Sequence, residues 1–179
     1  LLFLLPSRIA SPLSINSLRE DLEINFNTAK NYINYLKLVY VLFEVPPFCK
    51  KNTRLVKKEQ KVYFYDWVIV SEESKRFENY IAMELKCRVD LWNDLSENNF
   101  NLFFVRSRDG KETDFLITRN ETPYFLCEVK LSSSHIEKHH YLHSKLLGDV
   151  PFVQIVKENN VLKIEKGNFY TVSASRFFG

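Results

Sequence analysis

The 179-residue sequence predicts an α/β chain, α+β overall, built in two units. Three observations predict it. Two short helical patterns joined by a tight polar link occupy the N-terminal part. A strand, a basic run and a second strand follow them. From residue 76 onward the apolar pattern reads helix, strand, strand, strand, helix, strand, the order of a mixed sheet flanked by helices. The polar break SEESK at 71–75 separates the units, which gives boundaries of 1–70 and 72–179.

Residues 1–10 read as the end of a helix. In the next stretch Leu18, Leu22 and Ile24 form one short apolar face, with Ser14 or Asn16 as a cap. A link at 23–27 leads to a second helix over 27–39, whose buried stripe is Ala29, Ile33, Leu36 and Val39 or Tyr40. Its outward face carries Thr28, Lys30, Asn31, Asn34 and Lys37. Such side chains reach bases or phosphates in a DNA-binding helix-turn-helix, and they equally suit a plain solvated face. Strands at 41–45 and 62–65 enclose a run with Lys50, Lys51, Arg54, Lys57, Lys58 and Lys61 against Glu59 alone. Helix-turn-helix, strand, basic loop, strand is the order of a winged helix, with the loop as its wing. The loop lies on a phosphate backbone or is a charged solvated turn.

Asp66 is expected to cap a short turn at 67–70. A helix from about 76 to 91 carries Phe77, Ile81, Leu85 and Val89 on its apolar side, with Glu78 near its start. A strand at 101–106 comes next, then a hairpin of two strands, 114–118 and 124–130, turning near Asn120–Glu121. A helix at 135–147 and a strand at 151–156 follow. That crossover is long enough to lay the last strand parallel to its predecessor. Residues 161–166 and 169–172 add edge strands.

The hairpin holds the strongest anomaly. Asp114 falls opposite Cys127 or Glu128, and the period of two puts Glu128 and Lys130 on one face. Two carboxylates and an ammonium then end strands otherwise made of Phe, Leu, Ile, Val and Tyr. Charges there cost free energy unless paired or metal-bound. An Asp114–Lys130 cross-strand ion pair is the plain alternative to a metal site. His139 and His143 stand at ligand spacing on a helix, but no HExxH glutamate accompanies them, so histidines facing solvent or phosphate are expected.

Bulk properties narrow the classes. With 45% hydrophobic and 15% aromatic residues the chain has material for a core. Net charge +3 permits nucleic-acid binding without requiring it. Cys49, Cys87 and Cys127 follow no zinc spacing and read as reduced thiols of a cytoplasmic protein. The first apolar run stops at Pro6, too short for a membrane span, so no membrane partner is expected. No P-loop, Gly-rich dinucleotide loop or GxSxG motif is present. The chain opens on Leu1 in mid-pattern and reads as the C-terminal piece of something longer.

Asp114 followed by Glu-x-Lys at 128–130, in this element order, resembles the core of the PD-(D/E)xK nuclease superfamily, the restriction-endonuclease-like fold. The series RLVKKEQKVYFYDW, RFENYIAMEL, VRSRDGKETDFLI and FLCEVK, after a winged helix, looks like the C-terminal region of prokaryotic AAA-type ATPases. There this region is a domain of unknown function downstream of a P-loop ATPase. The resemblance covers nearly the whole chain. It implies that Asp114 and Glu128 bind Mg²⁺ or Mn²⁺, that Lys130 supports the attacking water or the phosphorane, and that Glu78 adds an acidic group. Thr113 stands where the superfamily loosely keeps a proline. The expected role is a DNA-binding effector with Mg²⁺-dependent phosphodiester cleavage. Its alternative is a non-catalytic nucleic-acid- or protein-binding module on a nuclease-like scaffold. ATP enters only through an N-terminal ATPase domain, a partner outside this sequence, and the oligomeric state is left open.

Overall fold

The computed structural model describes residues 1–49 and 59–179. Lys50, Lys51, Arg54, Lys57 and Lys58 of the expected wing lie outside the described residues.

The N-terminal unit starts with a 3-10 turn at Leu5–Ser7 in place of the expected helix end. Pro6 supplies no N–H for a continuing ladder, and Ala10 has a positive φ of 61°. Leu5 and Ile9 are buried all the same. Helix α1 (Ile15–Asp21) is capped by Ser14, whose hydroxyl accepts from the Ser17 N–H. Helix α2 (Phe26–Leu38) is capped by Asn25, which accepts from the Thr28 N–H at 2.8 Å. Ala29 and Ile33 point inward as the period predicts, whereas Val39 and Tyr40 are exposed. The helix ends before them, and Tyr40 turns the chain at φ 55°. Strands β1 (Leu42–Val45) and β2 (Lys61–Phe64) pair antiparallel.

Asp66 caps a 3-10 turn at Trp67–Ile69, its carboxylate accepting from the Val68 N–H. Helix α3 (Glu73–Leu95) is longer than its sequence pattern at both ends. A six-stranded mixed sheet follows, in the order β3-β4-β5-β6-β8-β7. Its members are β3 (Phe100–Arg106), β4 (Glu112–Arg119), β5 (Thr122–Lys130), β6 (Phe152–Val156), β7 (Leu162–Ile164) and β8 (Phe169–Ser173). The β4–β5 hairpin turns on Asn120 and Glu121, both at positive φ, as two-residue primed turns require. β5 and β6 are parallel, joined through α4 (Lys138–Leu146). β8 is not an edge strand: it lies between β6 and β7, parallel to β6. The short helix α5 (Ala174–Phe177) closes the chain. Among the described residues, no helix is long and apolar enough to cross a membrane.

Helix α3 packs Phe77, Ile81, Leu85 and Val89 on one sheet face, against Phe115, Ile117, Cys127, Val129 and Ile155. The α4 side covers the other face through Ile136, Leu116, Leu126 and Phe152. Phe43, Val45 and Tyr63 of the small sheet join the α3 core. Past β1, the Phe48 N–H donates to the Phe104 carbonyl and the Phe104 N–H to Pro46. The segment after β1 therefore runs along edge strand β3, and the small sheet is fixed to the large one by backbone bonds.

Candidate functional site

Two local irregularities create the site. Along β3 and β4, Phe103 faces Leu116 and Val105 faces Thr113, so two steps on β3 match three on β4. The extra residue is a bulge at Asp114–Phe115, which breaks the side-chain alternation. Thr113 consequently turns to the α4 side, while Asp114 joins Phe115 on the α3 side. The second irregularity is a lysine inside a buried strand. All four residues of β2 are buried, and Lys61, its first, is 1% exposed.

Lys61 ends at the centre of an acidic cluster. Its ammonium lies 2.7 Å from Glu112, 3.3 Å from Glu78 and 3.4 Å from Asp114. Tyr63, two residues on and on the same strand face, donates its hydroxyl to Glu78 at 2.7 Å. The Phe104 ring closes one side, 5.5 Å from the Lys61 nitrogen. Burial alone would lower the Lys61 pKa, but electrostatic interaction with its neighbours Tyr63, Glu78, Asp114 and Glu112 outweighs it and holds the ammonium protonated. This corrects the expectation for Lys61: it faces the interior and cannot lie on a phosphate backbone.

Asp114 and Glu128 meet where the hairpin strands part. Asp114 accepts from the Val129 N–H at 3.0 Å, and Glu128 accepts from the Asp114 N–H at 3.3 Å. Lys130 pairs with Glu128 at 2.8 Å, two residues away along its own strand. The cross-strand partner of Asp114 is thus Lys61, and Lys130 belongs to Glu128. Glu78, Asp114 and Lys130 line one cleft of about 210 Å³ with Phe77, Val129 and Leu131. The four residues named by the resemblance therefore lie together. Sequence reasoning assigned Lys61 to the wing and missed Tyr63 and Glu112. Their signal was the strand period: residues 61 and 63 share a face, and so do 112 and 114.

Cations are too few for this many buried carboxylates, and protons make up the difference. Burial, then the Asp114 charge, pushes Glu78 up to about 7 against the pull of Lys61. The same two causes push Glu128 up to about 8 despite Lys130. An acid whose pKa is raised on folding binds its proton more tightly in the folded chain. Its stabilising contribution is complete below the unfolded value of about 4.3 and is lost as pH rises through the folded value. Wild-type melting temperature is expected to fall between about pH 5 and about pH 9, and Glu128→Gln to flatten the fall. Parallel melting curves for the two proteins would show that Glu128 ionises like an exposed acid.

The histidines of α4 correct another expectation. His140 and His143 are buried, and the Thr113 hydroxyl lies 2.8 Å from Nδ1 of each. A hydroxyl has one proton, so it donates to one ring and accepts from the other, which fixes unlike tautomers. Burial lowers both pKa values, that of His140 to about 3, so both rings are neutral. Nε2 of His143 is buried with no hydrogen-bond partner. His139 reaches the Glu112 carbonyl at 2.8 Å. Helix α4 thereby clamps the bulged end of β4.

The donor set does not suit Mg²⁺. That ion needs oxygens at about 2.0–2.1 Å in near-octahedral array and keeps several waters. Here the point between Glu78, Glu112 and Asp114 is filled by an ammonium at hydrogen-bond distances. The second Asp114 oxygen is committed to the Val129 N–H, and Glu128 to Lys130 and the Asp114 N–H. Among the described residues no group of three or more His, Cys, Asp or Glu is arranged to hold a metal ion.

On the helical unit, Lys30, Asn31 and Asn34 are exposed on α2. Lys37 is paired with Glu44 of β1. A groove of about 480 Å³ runs beside them, lined by Asn16, Lys30, Asn34, Lys37 and Gln60 among others.

Two family models match the chain. One, described as Domain of unknown function (DUF8612), matches residues 1–79. The other, described as Domain of unknown function (DUF4143), matches residues 73–176. Lys61 falls within the first match, Glu112, Asp114, Glu128 and Lys130 within the second, and Glu78 within both. No curated protein and no solved structure matches the chain.

Proposed function

We propose a non-catalytic DNA-docking role for this chain, which belongs to the family described as Domain of unknown function (DUF4143). The helical unit is the docking element and the sheet unit a nuclease-like scaffold. The carrying observation is the open face of α2, where Lys30, Asn31 and Asn34 stand exposed beside a groove of mixed polar and apolar lining. Asn is suited to bidentate contact with adenine, and Lys to guanine or phosphate. The caps at Ser14 and Asn25 fix where α1 and α2 begin, and on this reading the start of α2 enters a major groove. The filled carboxylate cluster speaks against cleavage, because an ammonium cannot generate the metal-bound hydroxide that phosphodiester hydrolysis uses. On this reading the chain is the effector end of an AAA-type ATPase of the cytoplasm, and ATP is handled by the ATPase part alone.

Affinity for duplex DNA, measured by fluorescence anisotropy in EDTA at several salt concentrations, tests the role. Three to four phosphate contacts give a slope of log K against log salt of roughly −3 to −4. Lys30→Glu with Asn34→Asp is expected to weaken binding to every duplex, and Glu at Lys50, Lys51, Lys57 and Lys58 to abolish it. Affinity that ignores salt and both sets of changes would rule out DNA docking by this surface.

A further inference from the structure

We infer that Lys61 is a tethered counter-ion which takes a divalent cation's place among Glu78, Glu112 and Asp114 and makes the cluster refractory to metal. The inference rests on the non-catalytic reading of the sheet unit and is independent of DNA docking.

Three observations carry it. The ammonium contacts all three carboxylates at once, so it lies at their common point instead of bridging two at the rim. Its side chain is 1% exposed, so the ammonium is held out of bulk solvent although Glu78 and Asp114 also border the cleft. Its place is also built. β2 is held by β1 on one edge, and Asn79 of α3 bonds both peptide groups of Phe64. At the strand's start, Leu13 donates to the Gln60 carbonyl. The Lys61 stem therefore enters the cluster from a fixed strand, and it cannot swing out without unpairing that strand.

The charge balance follows from the exchange. An ammonium brings one positive charge where a divalent ion brings two. Tyr63 donates a neutral hydroxyl to Glu78 beside it, so one ammonium and one hydroxyl donor serve the three carboxylates. The cation arrives from the N-terminal unit, whereas Glu112 and Asp114 belong to the sheet unit. The helical unit thereby closes the sheet unit's carboxylate cluster through its own strand.

Mn²⁺ binding followed by electron paramagnetic resonance and calorimetry tests this on the wild type, Lys61→Ala, and Lys61→Ala with Asp114→Asn. The wild type is expected to show no saturable Mn²⁺ binding and no change of melting temperature. Lys61→Ala is expected to bind Mn²⁺ about tenfold or more tightly than the wild type. Adding Asp114→Asn should remove that gain. If Lys61→Ala fails to fold in metal-free buffer, refolding in Mn²⁺ should restore it. Saturable wild-type binding lost with Asp114→Asn overturns the inference. So does a folded Lys61→Ala chain that takes no Mn²⁺, or an unfolded one that Mn²⁺ does not rescue. DNA affinity in EDTA, read on the same folded proteins, should stay within about twofold of wild type. A DNA affinity that ignores salt and the α2 variants would sink the docking role and leave the counter-ion standing.

Discussion

Lys61→Met in metal-free buffer is expected to destabilise the chain by about 3–5 kcal/mol, the cost of stripping one partner from a buried ionic group. Met keeps the length of the aliphatic stem, so the change reports the charge more than the packing. Without the ammonium, Glu78, Glu112 and Asp114 face one another with the Tyr63 hydroxyl, the Val129 N–H and the more distant Arg106 to offset them. For a chain of this size each kcal/mol moves the melting temperature by about 2–4 °C, so a fall of at least about 6 °C is expected. The repulsion is strongest when the carboxyls are ionised, so the loss should shrink in acid as they take up protons. Neutralising the partners in the same chain, with Glu78→Gln, Glu112→Gln and Asp114→Asn, should recover most of it. A Lys61→Met protein that melts with the wild type at neutral pH would mean that the three carboxylates do not depend on this lysine.

How much of this arrangement the sequence disclosed depended on whether a signal was local. The Asn120–Glu121 turn, the caps at Ser14 and Asp66, and the parallel β5–β6 crossover each follow from a few adjacent residues, and each was legible. Asp114, Glu128 and Lys130 were recognisable from the hairpin register, and Glu78 joined them only through the resemblance to the nuclease core. Lys61 was misread because a lysine next to a basic run looks solvated. Its burial is decided by carboxylates 17 to 53 residues away. Thr113 was passed over as a neutral replacement of a proline, yet its hydroxyl links both His140 and His143 to the bulged strand. The bulge itself left no mark in the apolar pattern, because TDFLI is a polar pair followed by an apolar run and reads the same whether or not Asp114 and Phe115 share a face. β8 was placed at the edge for a similar reason: strand order is a tertiary property, and nothing in FYTVS specifies two neighbours.

Asn79→Leu is the other change expected to have a large effect, and its cause lies in the backbone. Asn79 is fully buried. Its side-chain carbonyl accepts from the Phe64 N–H at 2.9 Å, and its amide donates to the Phe64 carbonyl at 2.6 Å. The next residue, Tyr65, donates to Val41 on the β1 side, so the Phe64 peptide groups point to the opposite edge of β2. Leucine fills the volume but offers neither donor nor acceptor. Two buried peptide groups then lose their partners at about 1–3 kcal/mol each. Denaturant unfolding should give a loss of about 2–6 kcal/mol, and hydrogen exchange at the Phe64 amide should quicken well beyond its neighbours in β1. Asn79→Asp is expected to keep the first bond and replace the second with repulsion between two oxygens, so it should also destabilise. The effect extends to the acidic cluster. Asn79 follows Glu78 directly, and its grip on Phe64 sets how far Lys61 and Tyr63 reach toward Glu78. Asn79→Leu and Lys61→Met should therefore cost less together than the sum of their separate losses, since loosening β2 already withdraws the ammonium. Strict additivity, or an unchanged Phe64 exchange rate in Asn79→Leu, would mean that β2 is held in place by the β1 pairing alone.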